Sequence, residues 1–142
     1  TLCRAMSRKI PNLWIIDDDP MSSFYIKRLA ELGELANIIS IYSTAQGAIN
    51  YLLHHKKSPE HLPDIILLDI YMPEIDGWEF LKQLKKIEDQ LAKKPAVYII
   101  SSSNHPRDLE RAAALPIVRH YFQKPVTLEV LKQVVQEVFE NG

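Results

Sequence analysis

A single cysteine, Cys3, excludes an internal disulfide and fits a reducing, cytoplasmic setting. No apolar run approaches the roughly 20 residues needed to cross a bilayer, and no secretory apolar segment opens the chain. An excess of one charge is also lacking. Against 17 Lys and Arg stand 18 Asp and Glu, a net charge of −1, which argues against direct nucleic-acid binding and its usual basic stripe. Glycine is sparse, four in 142 residues, and no Gly-rich loop follows any apolar run, so a nucleotide cradle has little support. The five histidines are scattered, without metal-ligand spacing and without a serine–histidine–acid set. Internal repeats, low-complexity segments and linkers are missing as well. What is left is one domain of ordinary globular composition, 46 % apolar and 25 % charged.

Residues 1–9 are polar and basic and read as a disordered tail or expression remnant ahead of a natural start at Met6, with residues 10–142 as the folded domain. From Asn12 onward, strand-like and helix-like segments alternate. Residues 13–16 and 65–68 are short apolar runs without alternation, as suits strands buried on both faces of a parallel sheet. Residues 38–42, 96–100 and 120–123 read as three further strands. Pro20 opens a first helix with Met21, Tyr25, Leu29 and Leu32 at helical spacing and Gly33 as its stop. Ser43 with Gln46 spaces as a capping box ahead of Ala45, Ala48, Ile49, Leu52 and Leu53. Asp76 with Glu79 spaces likewise ahead of Phe80, Leu84, Ile87 and Leu91. Pro106 opens a short helix carrying Leu109, Ala112 and Ala113, and Thr127 caps a last one with Leu131, Val134, Val135 and Val138 inward. Five strand–helix pairs in strict alternation predict an α/β domain, a parallel sheet with helices on both faces and right-handed crossovers.

In such a sheet, ligands bind beyond the carboxyl ends of the strands. The sequence places polar residues there: Asp17 and Asp18 after the first strand, Asp69 after the third, Ser101 after the fourth and Lys124 after the fifth. Taken alone, an acid at a strand end is as readily a helix cap or turn former. Carboxylates converging on one point repel, by roughly 4 kcal/mol for two unit charges 4 Å apart at an effective dielectric near 20, so the cluster holds a cation or keeps protons. A few hard oxygen ligands with room for water suit Mg2+. Lysine, a flexible point charge, can reach a phosphoryl oxygen. Mg2+ beside a carboxylate, a hydroxyl and an ammonium makes a phosphoryl-handling set. An aspartate nucleophile gives an aspartyl-phosphate, with Ser101 and Lys124 on the remaining phosphoryl oxygens. Asp19 reads as a helix-start acid, Glu74 and Asp76 as loop and cap residues, and Trp78 as packing at the start of the third helix. Trp14 reads as partly buried, and Lys82, Lys85 and Lys86 as the wet face of a helix.

Four pieces occur in order at the ends of the expected strands. They are Ile15-Ile-Asp17-Asp18-Asp-Pro20, Leu67-Leu-Asp69-Ile-Tyr-Met-Pro73-Glu-Ile-Asp-Gly77, Ser101 with small Ser102 beside it, and Lys124-Pro125. In these the chain resembles the receiver domain of two-component response regulators, over residues 11–141. The resemblance implies a flavodoxin-like doubly wound (βα)5 fold with strand order 2-1-3-4-5. It implies that Asp69 accepts a phosphoryl group from a sensor histidine kinase or a histidine phosphotransfer protein. Asp18, Asp69 and the backbone carbonyl of Tyr71 would bind Mg2+, with Asp17 acting through a metal-bound water. Ser101 and Lys124 would contact the phosphoryl oxygens, and Ser102 must be small to admit the donor. Tyr121, three residues before Lys124, matches the family's aromatic switch position, which turns inward as the Ser101 hydroxyl shifts. That motion would alter the face of the fourth helix, fifth strand and fifth helix for a downstream protein target or a dimer. Ser101 stands where Thr is more usual. Tyr71 and Ser103, two residues beyond Asp69 and Ser101, occupy the variable positions that tune hydrolysis. Neither offers a carboxylate or amide to orient water, so the phosphoryl is expected to persist.

Two other functions compete. A phosphohydrolase of the haloacid-dehalogenase type also places a nucleophilic Asp after its first strand, and Asp17 with Asp19 supplies the Asp-x-Asp pair. Here, though, Met21 replaces that family's Thr or Val, and no cap insertion is visible. A pseudo-receiver would bind partners without phosphorylation, against the complete acid–hydroxyl–lysine set. The last helix runs nearly to the chain's end and leaves no output domain within it. A stand-alone receiver and one domain of a longer regulator or hybrid kinase both stay open. The receiver reading predicts no phosphate-ester turnover that is lost in Asp17→Asn yet kept in Asp69→Asn. A colorimetric ester assay on both variants checks this.

Overall fold

The computed structural model describes residues 8–141. The elements alternate from first to last: β1 (Ile10–Ile16), α1 (Pro20–Leu32), β2 (Ala36–Tyr42), α2 (Ala45–His54), β3 (Ile65–Leu68), α3 (Gly77–Ile87), β4 (Ala96–Ser101), α4 (Pro106–Ala113), β5 (Val118–Gln123) and α5 (Leu128–Asn141). All strand pairs are parallel and the order is β2-β1-β3-β4-β5, so the fold is flavodoxin-like, as expected. Every residue of β3 and β4 is buried, whereas the outer strands β2 and β5 show exposed positions. That is why the two central runs carry no alternation.

Strand pleating divides the core into two layers. Trp14, Ile16, Ile66, Leu68, Val97 and Ile99 point to one face, under α2, α3 and Ala112 of α4. Leu13, Ile15, Ile65, Leu67, Tyr98 and Ile100 point to the other, under Ile26 and Ala30 of α1 and Leu131, Val134 and Val135 of α5. Each large side chain buried in this way contributes about 1.5–3 kcal/mol. Trp14 is fully buried rather than partly, and its ring lies 4.5 Å from that of Tyr42.

Local details correct three expectations. Met21 is 82 % exposed, and Tyr25 and Leu32 also face solvent, while α1 buries Ser23, Ile26 and Ala30. Successive helix positions are about 100° apart, so a stripe drawn through the largest side chains lands on the wrong face when small residues make the contact. The α2 cap is Thr44, not Ser43, since β2 continues through Tyr42 and Thr44 Oγ1 accepts from Gly47 N–H at 3.1 Å. Leu53, placed on the buried face of α2 from spacing, is exposed. The caps at Asp76 and Thr127 stand as expected, accepting from Glu79 N–H at 2.9 Å and Val130 N–H at 3.2 Å. Of the amino-terminal stretch read as a tail, residues 1–7 lie outside the described residues, Met6 among them. Arg8 packs its guanidinium 4.0 Å over Phe139 of α5.

Gly77 has a specific reason. Its φ is not positive, but a Cβ there would lie 2.6 Å from Ile70 Cα and 2.7 Å from the Asp69 carbonyl oxygen. Its N–H also donates to Ile70 O at 2.9 Å, so α3 starts in backbone contact with the residues that follow β3. Gly77→Ala must push this junction apart, and we predict a loss of about 1–3 kcal/mol in urea unfolding, the usual cost of forcing a carbon into packed space.

Candidate functional site

The chain runs from β1 out to β2 and returns across to β3, so the carboxyl ends of β1 and β3 flank a topological switch point. Ile16 pairs with Leu68, which sets the next residues, Asp17 and Asp69, at the same level. Asp69 N–H donates to Ile16 O at 2.9 Å and Asp17 N–H to Tyr42 O at 3.0 Å, so the ladder extends to both acids. One carboxylate oxygen each from Asp17, Asp18 and Asp69 lies within 4.8 Å of the others. Asp17 is 3 % and Asp69 8 % exposed, while Asp18 faces solvent.

Lys124 joins this group from the end of β5. Its Nζ donates to Asp17 Oδ2 at 2.9 Å, and its backbone N–H donates to Ser101 O at 2.7 Å. Ser101 is fully buried, and its Oγ accepts from Ser103 N–H at 3.1 Å; Ser102 beside it is exposed. Asp17 Oδ1 accepts from Asp19 N–H at 2.9 Å, and the Asp19 side chain is the α1 cap, accepting from Met21 N–H at 3.0 Å. Tyr71 N–H approaches Asp69 Oδ1 at 3.4 Å. Burial first, and then the charge of Asp17, pushes the Asp69 carboxyl up to about 6, against the pull of Lys124 and the Tyr71 amide. An acid with ordinary solvation would sit near 3.8, so burial and the neighbouring acid disfavour the charged form more than Lys124 and the Tyr71 amide favour it. Hard, closely spaced oxygens with that deficit of positive charge suit Mg2+.

Sequence reasoning missed Asp108. It is buried in the first turn of α4, accepting from the Tyr71 hydroxyl and, at 2.7 Å, from the Ser103 hydroxyl. Tyr121, at the expected switch position, is half-buried and donates its hydroxyl to Ser103 O at 2.7 Å. Leu109 had been expected inward, but it is exposed, and the buried pair on α4 is Asp108 and Ala112, one turn apart. That i,i+4 pairing was the available signal. Glu74 occupies the left-handed region at φ 66°, and Asp76 caps α3 as expected. Away from the acids, Lys82, Lys85 and Lys86 line an open groove of about 730 Å³ with Arg111, whose guanidinium lies 4.5 Å over the Trp78 ring.

Comparison with known proteins identifies the family of this fold. The model of the response regulator receiver domain matches residues 13–136, so the chain belongs to that family, the receiver domains of two-component systems. Among curated relatives, a probable methanogenesis regulatory protein, FilR2, of Methanothrix harundinacea is 32 % identical over 126 residues, covering 89 % of this chain and 79 % of the relative. A probable C4-dicarboxylate response regulator, DctR, of Halalkalibacterium halodurans is 28 % identical over 89 % of this chain, which spans half of that protein's length. The crystal structure of a two-component response regulator from Cytophaga hutchinsonii is 32 % identical with a TM-score of 0.85, covering 94 % of this chain and 99 % of that one.

The raised Asp69 value has a consequence for stability. Because it exceeds the unfolded value near 3.8, the folded protein binds more protons between about pH 4 and 6. Stability from this group therefore falls as pH rises through that window and stays lost above it. We predict that, without divalent metal, Asp69→Asn unfolds at higher urea than wild type at pH 7.5, by about 1–3 kcal/mol, and that the difference vanishes near pH 4. Added Mg2+ should narrow the gap at pH 7.5 by stabilising the wild type.

Proposed function

We propose that this domain is a phosphorylation-dependent switch in which Asp69 is the acceptor. The observation that carries this reading is the convergence of Asp17, Asp18 and Asp69 within 4.8 Å at the switch point, with Lys124 bonded to one of them. An Asp69 oxygen attacks the phosphorus of a phosphohistidine on a sensor histidine kinase or histidine phosphotransfer protein. The P–N bond breaks, the imidazole nitrogen keeps the electron pair and takes a proton, and a carboxyl–phosphate bond forms. Asp18 and Asp69, with the Tyr71 carbonyl, would hold Mg2+, with Asp17 acting through a bound water. When bound, the metal would supply positive charge for the phosphoryl oxygens. Lys124 exchanges its bond with Asp17 for a phosphoryl oxygen, and the Ser101 hydroxyl turns to another. Ser102, small and exposed, leaves the donor a way in.

Asp17 is a poor candidate for a hydrolase nucleophile, since both its oxygens are engaged, one by Lys124 and one by Asp19 N–H. The output of the switch is the α4–β5–α5 face, reached through Tyr121, where a downstream protein or a second copy docks; the domain itself touches no nucleic acid and works in the cytoplasm. The phosphoryl is long-lived, because neither Tyr71 nor Ser103 carries a carboxylate or amide to orient an attacking water.

Incubation with acetyl phosphate and Mg2+ should add one phosphoryl mass to the wild type and none to Asp69→Asn. Uptake that survives in Asp69→Asn, or that needs no divalent cation, overturns the mechanism. Tyr71→Asn, which supplies an amide to orient water, should shed phosphate several-fold faster than wild type in a gel-based decay assay; an equal rate refutes the lifetime claim. Ser103→Glu is the poorer probe, since it would set a second carboxylate against Asp108.

A further inference from the structure

Three carboxylates are buried among the described residues, and two of them, Asp17 and Asp69, belong to the acid site. The third, Asp108, lies on α4 and has no part in metal or phosphoryl binding. It nevertheless receives both hydroxyls that flank that site, the Tyr71 hydroxyl from the loop after β3 and the Ser103 hydroxyl, at 2.7 Å, from the loop after β4. Tyr71's hydrogen bond, followed by that of Ser103, holds the Asp108 carboxyl below its ordinary value, and the same contact pushes the Tyr71 phenol up. Both directions describe an ionised acceptor with neutral donors, the stronger kind of hydrogen bond.

Ser103 is committed at every polar atom. Its N–H donates to Ser101 Oγ, its hydroxyl donates to Asp108 and accepts from His105 N–H at 3.2 Å, and its carbonyl accepts from Tyr121. A shift of Ser101 toward Asp69 must therefore drag Ser103 against its bond to Asp108. Besides Asp108, helix α4 is held by one buried apolar side chain, Ala112, and by the Arg111 guanidinium over the Trp78 ring. A helix this short has no stability of its own, so its polar tether is a large share of what fixes the loop.

We propose that Asp108 is a positioning residue that clasps Tyr71 and Ser103 together and holds the loop after β4 in the resting arrangement, as a brake on switching. This rests on the phosphoryl-acceptor reading above. The clasp has discrete closed and open forms, and phosphoryl at Asp69 favours the open one, so loosening the clasp raises the competent fraction and tightens apparent binding of any phosphoryl mimic.

The test is a titration of the full chain with beryllofluoride, a noncovalent stand-in for the phosphoryl group, in the presence of Mg2+, read by intrinsic fluorescence. Asp108→Asn and Tyr71→Phe should each bind about 3- to 10-fold more tightly than wild type, and the double variant no more tightly than the better single. A merely structural role would weaken binding instead. Tyr71→Phe removes one exposed-loop hydroxyl and decides the matter even if Asp108→Asn folds poorly. Unchanged or weaker binding in Tyr71→Phe, or single effects that multiply fully in the double variant, overturns the clasp while leaving the acceptor reading intact. A wild type that binds no beryllofluoride removes both.

Discussion

Like-charge repulsion at the carboxyl end of the sheet is the constraint to which the rest of the molecule answers. Asp17 and Asp69 are not free to separate, because Ile16 and Leu68 are paired and each acid's backbone N–H continues the ladder. The strand residues behind them, Ile16 and Leu68, and Ile70 just beyond Asp69 are fully buried. Burial of several such side chains at about 1.5–3 kcal/mol each outweighs a few kcal/mol of carboxylate repulsion. The core therefore wins, and the repulsion is left as a standing deficit of positive charge. Lys124 offsets part of it through Asp17, and burial first, then the Asp17 charge, still pushes the Asp69 carboxyl up.

That deficit accounts for the surrounding loops. The loop after β3 must turn at once, keep Asp69 facing the other acids, and deliver the chain to α3. Gly77 permits this by letting the helix start within van der Waals range of the Asp69 carbonyl, and the Asp76 cap fixes the helix at its first turn. On the β1 side the same task falls to Asp19, which caps α1 while its own N–H holds Asp17 Oδ1. In both places a helix N-terminus is anchored beside an acid. The positive end of a helix is a favourable neighbour for that charge.

Much of this was legible in the chain. The apolar runs at 65–68 and 96–100 named the central strands because burial on both faces removes alternation, and the acids and lysine at the strand ends named the site. The buried face of α1 was not legible, because beside Ile26 it is made by the small Ser23 and Ala30, while the large Met21 and Leu32 are exposed. Asp108 escaped for a related reason. An acid in the first turn of a helix is ordinarily solvated and favourable to the dipole, and its burial depends on two hydroxyls 37 and 5 residues away. Local spacing carries no information about partners at that distance. Four pieces of the motif could be read because each sits at a strand end, where topology alone brings them together; the polar network beside them is assembled by loops.

The two kinds of bonding around the acids also differ in what they can transmit. Close-packed apolar layers deform little, so a charge event at Asp69 meets a stiff core on the β1 and β3 side. The loop after β4 and the outer strand β5 are different. From Ser101 through Ser103 to Tyr121 the connection is made of hydrogen bonds rather than apolar packing, and Tyr121 is only half-buried on an outer strand. A chain of hydrogen bonds can have discrete arrangements, and a small local change can select among them. With Asp69 as the proposed acceptor, stiffness on one side of the acids and a hydrogen-bonded loop on the other would direct a charge event there toward α4 and β5. In this structure Asp108 stands at the branch of that path, where the loops after β3 and β4 meet one helix.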